Sequence, residues 1–269
     1  MANWLDPELT TLAFVWRLDR RDGVTLGFTS HDRDLEIDGI VYRAAPGMVP
    51  SAIEWSDGFD ADTVELAGAL TSDAIRPDDL AAGRWDGARL TLRAVDWTDP
   101  AAPPVALVAG TLGTVTTEGD RFAVELHGPA SVLDAPVVEV TSPECRASLG
   151  DRRCRVDMAG RSRIEAVAAA SGSVLTLATP LPDGAFASGR LRWIDGANAG
   201  LWAQVLANAG ASVTLGEPPH FEVAAGTRVE LHEGCDRRFA TCVARFSNAA
   251  NFRGEPHLPG NDLLTRYAL

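Results

Sequence analysis

The sequence predicts a mainly β protein of the α+β class, built from two modules. Short apolar runs with a period of two recur along the 269 residues, separated by segments rich in Gly, Pro and Asp. Residues 1–140 contain 24 Asp and Glu against 10 Arg, a net charge of −14, whereas residues 141–269 contain 13 against 14, a net charge of +1. All four cysteines fall in the second part. We therefore expect an acidic β-rich module over 1–140 and a smaller β-rich module with a short helix over 141–269.

The first module contains eight short apolar or alternating runs. A hairpin is expected around residues 19–23, and Asp38-Gly39 is a residue pair typical of a two-residue hairpin turn. One helix is expected over residues 71–83, where residues that cap helices stand at both ends. A helical turn is expected over residues 129–133. The strands are predicted at residues 11–18, 24–29, 35–37, 40–43, 62–67, 88–97, 105–115 and 121–127.

The second module begins with an Arg-rich segment, residues 142–158, which we expect to form a loop or a short helix. A helix is predicted over residues 235–246. The remaining residues are broken by Gly and Pro, and we expect them to form an extended tail over their own domain or a neighbour. Six strands are predicted at residues 163–168, 174–178, 189–194, 202–206, 212–215 and 227–231.

Composition and charge exclude several classes of protein. No apolar run approaches the roughly 20 residues that span a bilayer. The first ten residues contain no basic region followed by an apolar stretch, so we expect no secretory signal and a soluble protein made in a cytoplasm. An acidic first module is a poor binder of nucleic acid, because neutralising phosphates requires basic side chains.

The cysteines form two pairs, Cys145 with Cys154 and Cys235 with Cys242, at spacings C-x8-C and C-x6-C. The thiols could be unrelated buried residues, two disulfides or four ligands of one metal centre. Zinc sites usually use pairs spaced C-x2-4-C, and neither pair has that spacing. If the second pair lies on one helix, both thiols face the same side about 10 Å apart. An iron–sulfur cluster suits such separations better than zinc does, and zinc remains the second choice.

Arginines surround both cysteine pairs. They should lower the pKa of the thiols and offset the negative charge of a cluster bound by thiolates. The members of this group are Arg146, Arg152, Arg153, Arg155, Arg237 and Arg238.

Three sequence blocks resemble a family of tailed-phage and prophage proteins, the BR0599-type tail domain. The first two blocks are SPECRASLGDRRCRVDM at residues 142–158 and DGANAGLWAQV at residues 195–205. The third, GCDRRFATCVARFSNAANFRGEPHLPG, spans residues 234–260. The first module is similar to a domain that precedes this one in gene transfer agents and related siphophages.

The resemblance implies a structural baseplate hub protein at the tail tip, related to the minor tail protein L of lambda-like phages. It implies a β-barrel-like hub module in the first part and a homotrimer that joins the tail tube to the tip. Its partners would be the distal tail ring protein and a larger fibre-bearing tip protein, with DNA only in transit and assembly in the bacterial cytoplasm. It also implies a [4Fe–4S] cluster held by Cys145, Cys154, Cys235 and Cys242.

Other functions stay open at this point. An iron–sulfur redox protein would need a substrate pocket or a partner-cofactor motif, and the sequence contains neither. A cell-wall-degrading Cys/His peptidase needs a free nucleophilic cysteine, whereas all four cysteines belong to the cluster pattern. The third alternative is an interaction module stabilised by zinc. We expect no catalytic residues and a role in assembly, with the acidic module repelling DNA phosphates along an exit channel.

Overall fold

The chain divides into two compact units, Met1–Val137 and Val138–Leu269. The computed structural model describes residues 10–45, 63–69, 75–118, 121–128, 131 and 137–258. The boundary predicted from the charge pattern lies three residues further along. Within the described residues, no helix is long and apolar enough to cross a membrane.

The first unit is built on one eight-stranded sheet. Its strand order is β3-β4-β2-β1-β6-β7-β8-β5, and all neighbours pair antiparallel except β2 and β4. The resemblance led us to expect a barrel here; among the described residues the sheet instead ends at β3 and β5, because each of these strands pairs on one side only. The strands are β1 (Leu12–Asp19), β2 (Thr25–Thr29), β3 (Leu35–Ile37), β4 (Ile40–Ala44), β5 (Thr63–Ala69), β6 (Arg89–Asp96), β7 (Val105–Glu118) and β8 (Arg121–His127).

Strand β1 lies at the centre of the sheet and is covered on both faces. Trp16 and Leu18 pack in one cluster, while Ala13 and Val15 pack in another on the opposite face. Successive side chains of a strand point to opposite faces, so burial on both sides explains the continuous apolar run at this position. The predicted β1–β2 hairpin is confirmed by the antiparallel register of the two strands.

A predicted hairpin turn and a predicted helix of the first unit can be compared with the structure. Asp38 and Gly39 have φ values of 54° and 73°, so the predicted hairpin between β3 and β4 is confirmed. Helix α1 (Pro77–Ala81) is shorter than the helix predicted over 71–83 and has Pro at its start, where a missing N–H costs no hydrogen bond. Residues 71–74 lie outside the described residues, as does most of the turn predicted over 129–133.

The second unit is a closed six-stranded antiparallel barrel with the order β10-β13-β12-β11-β14-β9. Its interior is filled by apolar side chains, among them Leu175, Leu191 and Leu231, each of them fully buried. All six strands predicted from the sequence are present. They are β9 (Ser162–Ser171), β10 (Val174–Leu177), β11 (Arg190–Trp193), β12 (Trp202–Ala209), β13 (Ser212–Leu215) and β14 (Arg228–His232).

The helix predicted over 235–246 begins later than expected. Helix α2 spans Phe239–Phe246 and is followed by a 3-10 turn at Ala249–Asn251. Before α2, Arg237 has a left-handed φ of 60°, and the Asp236 carboxylate accepts hydrogen bonds from Arg238 N and Thr241 Oγ1. This local turn competes with helical hydrogen bonding, as Asp side chains commonly do. Cys235 therefore precedes the helix, and the expectation that it shares a helix face with Cys242 is wrong.

Candidate functional site

The four cysteines line one cavity in the second unit. Sequence separates them by up to 97 positions, yet all four line the same small cavity, which is partly open to solvent. None of the four is in a disulfide; Cys154 and Cys242 are buried, and Cys145 and Cys235 are half-buried. The apolar part of the wall is formed by Ala147, Leu149, Val156, Phe246 and Phe252.

Cys145 is held between the loop that precedes α2 and the chain that follows the 3-10 turn. Its backbone N–H donates to Arg237 O at 2.9 Å, and the next N–H, of Arg146, donates to Arg253 O at 2.9 Å. Three separate segments thus meet at this cysteine. These backbone hydrogen bonds fix the position of the Cys145 main chain, and thereby of its Cα and Cβ atoms.

Cys154 is placed by a turn around Asp151. One carboxylate oxygen of Asp151 accepts hydrogen bonds from Arg153 N at 2.8 Å and Cys154 N at 2.6 Å. The other oxygen accepts from Ser148 N at 2.8 Å. These bonds hold the pKa of Asp151 below its ordinary value, with the Cys154 N–H as the largest cause. Asp151 therefore shapes the loop while ionised.

Asn248 connects the other buried cysteine to Cys154. Its side-chain amide donates to Cys154 O at 2.6 Å, and its backbone N–H donates to Cys242 O at 3.1 Å. Ser247, immediately before it, ends α2 in a left-handed conformation with φ of 49°. The end of the helix thus directs Asn248 toward the first cysteine loop.

Three of the four sulfurs accept an N–H hydrogen bond or lie near an N–H donor. Arg253 N lies 3.3 Å from Cys145 Sγ, and Asn248 Nδ2 lies 3.7 Å from Cys154 Sγ. The backbone N–H of Arg237 donates to the Cys235 thiol and favours its ionised form. The fourth thiol, Cys242, donates to Asn248 O at 3.4 Å. N–H groups directed at sulfur stabilise thiolates and tune thiolate-bound metal centres.

The pKa values of two thiols differ in direction from the sequence-based expectation. Burial raises the pKa of Cys235, and the neighbouring thiols and Asp236 add to this increase. Burial also raises the pKa of Cys242. In the absence of metal, both therefore favour the neutral thiol over the thiolate.

Burial is the main cause of this difference, and three of the six arginines do not offset it because they are paired elsewhere, whereas Arg237 and Arg238 line the cavity. Arg146 binds both Glu255 and Glu139, and Arg153 binds Glu139. Arg155 donates its side-chain N–H to a backbone carbonyl. Their guanidinium groups thus face oxygen atoms rather than sulfur, and the predicted lowering of the thiol pKa values is not found for Cys235 and Cys242.

The thiols are not gathered around the position of a single ion. In the parts of the chain that the structure describes, no group of three or more His, Cys, Asp and Glu side chains is arranged to hold a metal ion. Four sulfurs on one tetrahedral zinc ion would lie about 3.8 Å apart, since the Zn–S distance is ~2.3 Å. The thiols of the described residues do not have this arrangement.

Helix α2 is attached to the barrel mainly through Arg245. Its guanidinium donates to Gly234 O at 3.0 Å, to Ala185 O, and to the Glu233 carboxylate at 2.8 Å. Arg161 binds the same carboxylate at 2.8 Å. These contacts connect the segment that carries Cys242 to the end of the barrel.

The sequence analysis identified the four cysteines but not the residues that position them. Asp151, Asn248, Arg253 and Glu255 all lie within the quoted sequence blocks, and an Asp placed three residues before a cysteine is a recognisable turn signal. Asn248 could be suspected only from its place just after a helix end. The pairing of Arg253 with Cys145 joins residues 108 positions apart and leaves no local signal.

Two family models match successive parts of the chain, and the first of them extends past the boundary between the two compact units. Residues 1–157 match the family described as "Baseplate hub protein, N-terminal attachment domain". Residues 184–262 match the family described as "Phage conserved hypothetical protein BR0599". No curated protein matches the chain.

One solved structure is similar over almost the entire chain. It is described as "Virion of native gene transfer agent (GTA) particle", and one of its chains is 39% identical, with a TM-score of 0.86. The similarity covers 99% of this chain and 94% of that chain. Together these matches confirm the resemblance to both families, but the first block, residues 142–158, falls in the hub-domain match, which ends at residue 157, and not in the BR0599 match.

Proposed function

The chain belongs to the family of baseplate hub proteins with this N-terminal attachment domain, and from that premise we propose that it is a structural hub at the tail tip of a gene transfer agent or phage-like particle. The observation that carries the proposal is 39% identity over 99% of the chain to a protein of a gene transfer agent virion. Identity at this level over almost the full length supports a shared fold, and we extend it here to a shared role in the particle. The role is assembly, not catalysis.

As a hub, the protein joins the tail tube to the tip complex as a homotrimer. Its neighbours are the distal tail ring protein and a larger fibre-bearing tip protein. Closed cyclic symmetry suits a component that surrounds a tube, since it leaves no unpaired subunit interface. The assembly test is a reconstruction of the particle: the chain should form a threefold ring on the tail axis, and a position away from that axis would contradict the proposal.

DNA passes the hub only in transit, and the acidic first unit suits this passage. Four acidic residues near β3 are exposed: Asp32, Asp34, Glu36 and Asp38. Negative charge along a channel repels phosphates and keeps DNA from adhering. Replacing Asp32, Asp34 and Glu36 by Asn and Gln should leave particle numbers unchanged but slow DNA release, whereas an unchanged release rate would remove these residues from the channel.

The four cysteines are suited to hold a [4Fe–4S] cluster as a structural brace. The donor set consists of thiols alone, and the sulfurs surround a cavity with N–H groups directed at Cys145 and Cys235. A bound cluster would supply metal–thiolate bonds between two segments about 80 residues apart. By analogy with other cross-links, closing such a loop stabilises the folded state by on the order of 4 kcal/mol. A single zinc ion is the alternative.

Anaerobic purification tests the cluster. We expect about four iron and four sulfide per chain, with loss of both in Cys154→Ser and in Cys242→Ser. Zinc at one ion per chain without iron or sulfide would support the zinc-stabilised module instead. If Cys→Ser particles assemble in normal numbers and lose gene transfer only at a later chemical step, a redox role replaces the structural one.

A further inference from the structure

A short segment after the 3-10 turn, Phe252 to Leu258, lies against the first cysteine loop. Its N–H groups and carbonyls pair with that loop in two places: Arg146 N donates to Arg253 O at 2.9 Å, and Glu255 N donates to Ser142 O at 2.8 Å. We call residues 252–255 the strap. The strap begins in the cavity, where Phe252 packs edge-on against Phe239 at 5.0 Å.

The strap reaches the sulfur itself. Its Arg253 N–H donates to Cys145 Sγ at 3.3 Å. Cys145 is only half-buried, and the backbone of the strap lies against its sulfur. Movement of the strap would remove both the cover and the hydrogen bond.

Two independent features hold the strap in place. The first is Glu255, whose carboxylate binds the Arg146 guanidinium in a bidentate manner at 2.8 and 3.0 Å and also accepts Ser142 N at 2.8 Å. The second is Gly254, where an added Cβ would lie 2.5 Å from Glu144 O. The close approach of the two backbones therefore requires glycine, because a backbone carbonyl of the facing loop cannot turn aside as a side chain can.

From these contacts we infer that Arg146 and Glu255 are positioning residues for Cys145, which close the strap over this one thiol of the four. The pair acts through the Arg253 N–H and does not touch the sulfur. The strap is thus the part of the wall that lies over Cys145, and displacing it would expose this thiol selectively. The inference concerns the same site as the cluster proposal, but the two can fail separately.

The test is selective alkylation of the full-length, metal-free chain. Iodoacetamide labelling, followed by peptide mass spectrometry, gives a rate for each of the four thiols. Glu255→Gln should raise the Cys145 rate roughly two- to fivefold, since the pair it breaks is partly exposed. Gly254→Ala should raise it about tenfold, because the added methyl group displaces the strap. The rates at Cys154 and Cys242 should stay unchanged in both variants.

Glu139→Gln is the matched control. Glu139 also binds Arg146 but contacts no residue of the strap, so its loss should leave the Cys145 rate unchanged. Glu255→Asp, which keeps the charge on a shorter side chain, should restore part of the protection. Equal rates at Cys145 in the parent protein and both strap variants would overturn the inference. So would an equal increase at all four thiols, which would show that the pair only stabilises the fold. These rates do not depend on iron, so they stand even if the protein binds no cluster.

Discussion

Gly234 gives the sharpest test of how the cysteine site is joined to the barrel. It lies between the last barrel strand and Cys235. A Cβ at this position would lie 2.1 Å from Gly189 N, 2.2 Å from Ala187 O and 2.2 Å from Ser188 C. All three atoms belong to the backbone that leads into β11. Gly234→Ala must therefore separate two segments of main chain.

The expected cost of Gly234→Ala follows from these contacts. Overpacking against rigid surroundings destabilises by up to ~3 kcal/mol. The displaced backbone would also weaken the hydrogen bond from Arg245 to Gly234 O, which is 3.0 Å long, adding about 1 kcal/mol. The sum is about 4 kcal/mol, and for a unit of this size that corresponds to a fall in Tm of roughly 15 °C.

The assay is calorimetry of the full chain, with hydrogen exchange of barrel peptides to assign the transition of the second unit. Gly216→Ala is the matched control, because its Cβ would lie 3.6 Å from Gln204 Cβ, an ordinary contact. It should raise stability by about 0.4–1 kcal/mol through the unfolded chain. If Gly234→Ala melts at the same temperature as Gly216→Ala, the close approach carries no energetic weight and the reasoning is wrong.

Two further predictions concern the charged contacts of the second unit. Arg245→Met should destabilise this unit by about 2–3 kcal/mol, because it removes hydrogen-bond donors from two backbone carbonyls and from Glu233. Urea unfolding measures this loss. Arg152→Met, at an exposed position, is the control and should change the free energy of unfolding little. The hydrogen bond from Arg146 is the largest cause that lowers the pKa of Glu255 from 4.5 to about 2. The ionised carboxylate therefore contributes its full stabilisation of the folded state above pH 4.5, and this stabilisation is lost as the pH falls toward 2. The difference in free energy of unfolding between the parent protein and Glu255→Gln should therefore shrink across that range, and a constant difference would show that the carboxylate does not act through its charge.

Local pattern predicted most of the strands correctly. Short apolar runs predict all six barrel strands, and Asp38-Gly39 predicts a hairpin turn, because strand propensity and the φ values of a tight turn are decided within a few residues. The continuous apolar run of β1 also predicts a strand. The burial of both faces of β1 depends on the strands and loops that surround it, so the apolar run alone does not predict it.

The start of helix α2, near the cysteines, was not predicted correctly from the local sequence pattern. Spacing placed Cys235 and Cys242 on one helix, but the Asp236 turn delays α2 until Phe239. Burial also raises the pKa of Cys235 and Cys242, which the sequence did not predict. Sequence places arginines next to the cysteines, whereas the fold pairs Arg146 with Glu255, 109 positions away. Proximity along the chain does not determine which atoms a flexible guanidinium meets.

The division of charge, most strand positions and the set of four cysteines can be predicted from local sequence alone. Three features depend on the fold: the closed barrel of the second unit, the single cavity lined by all four thiols, and the hydrogen bond from Arg253 N–H to Cys145 Sγ. The physical reason is the range of the interactions. Strand periodicity and turns involve neighbouring residues. The β9–β14 pairing that closes the barrel joins residues 62 to 70 positions apart, and the contacts around the cavity join residues 94 to 109 positions apart, so both depend on the packing of the chain between them.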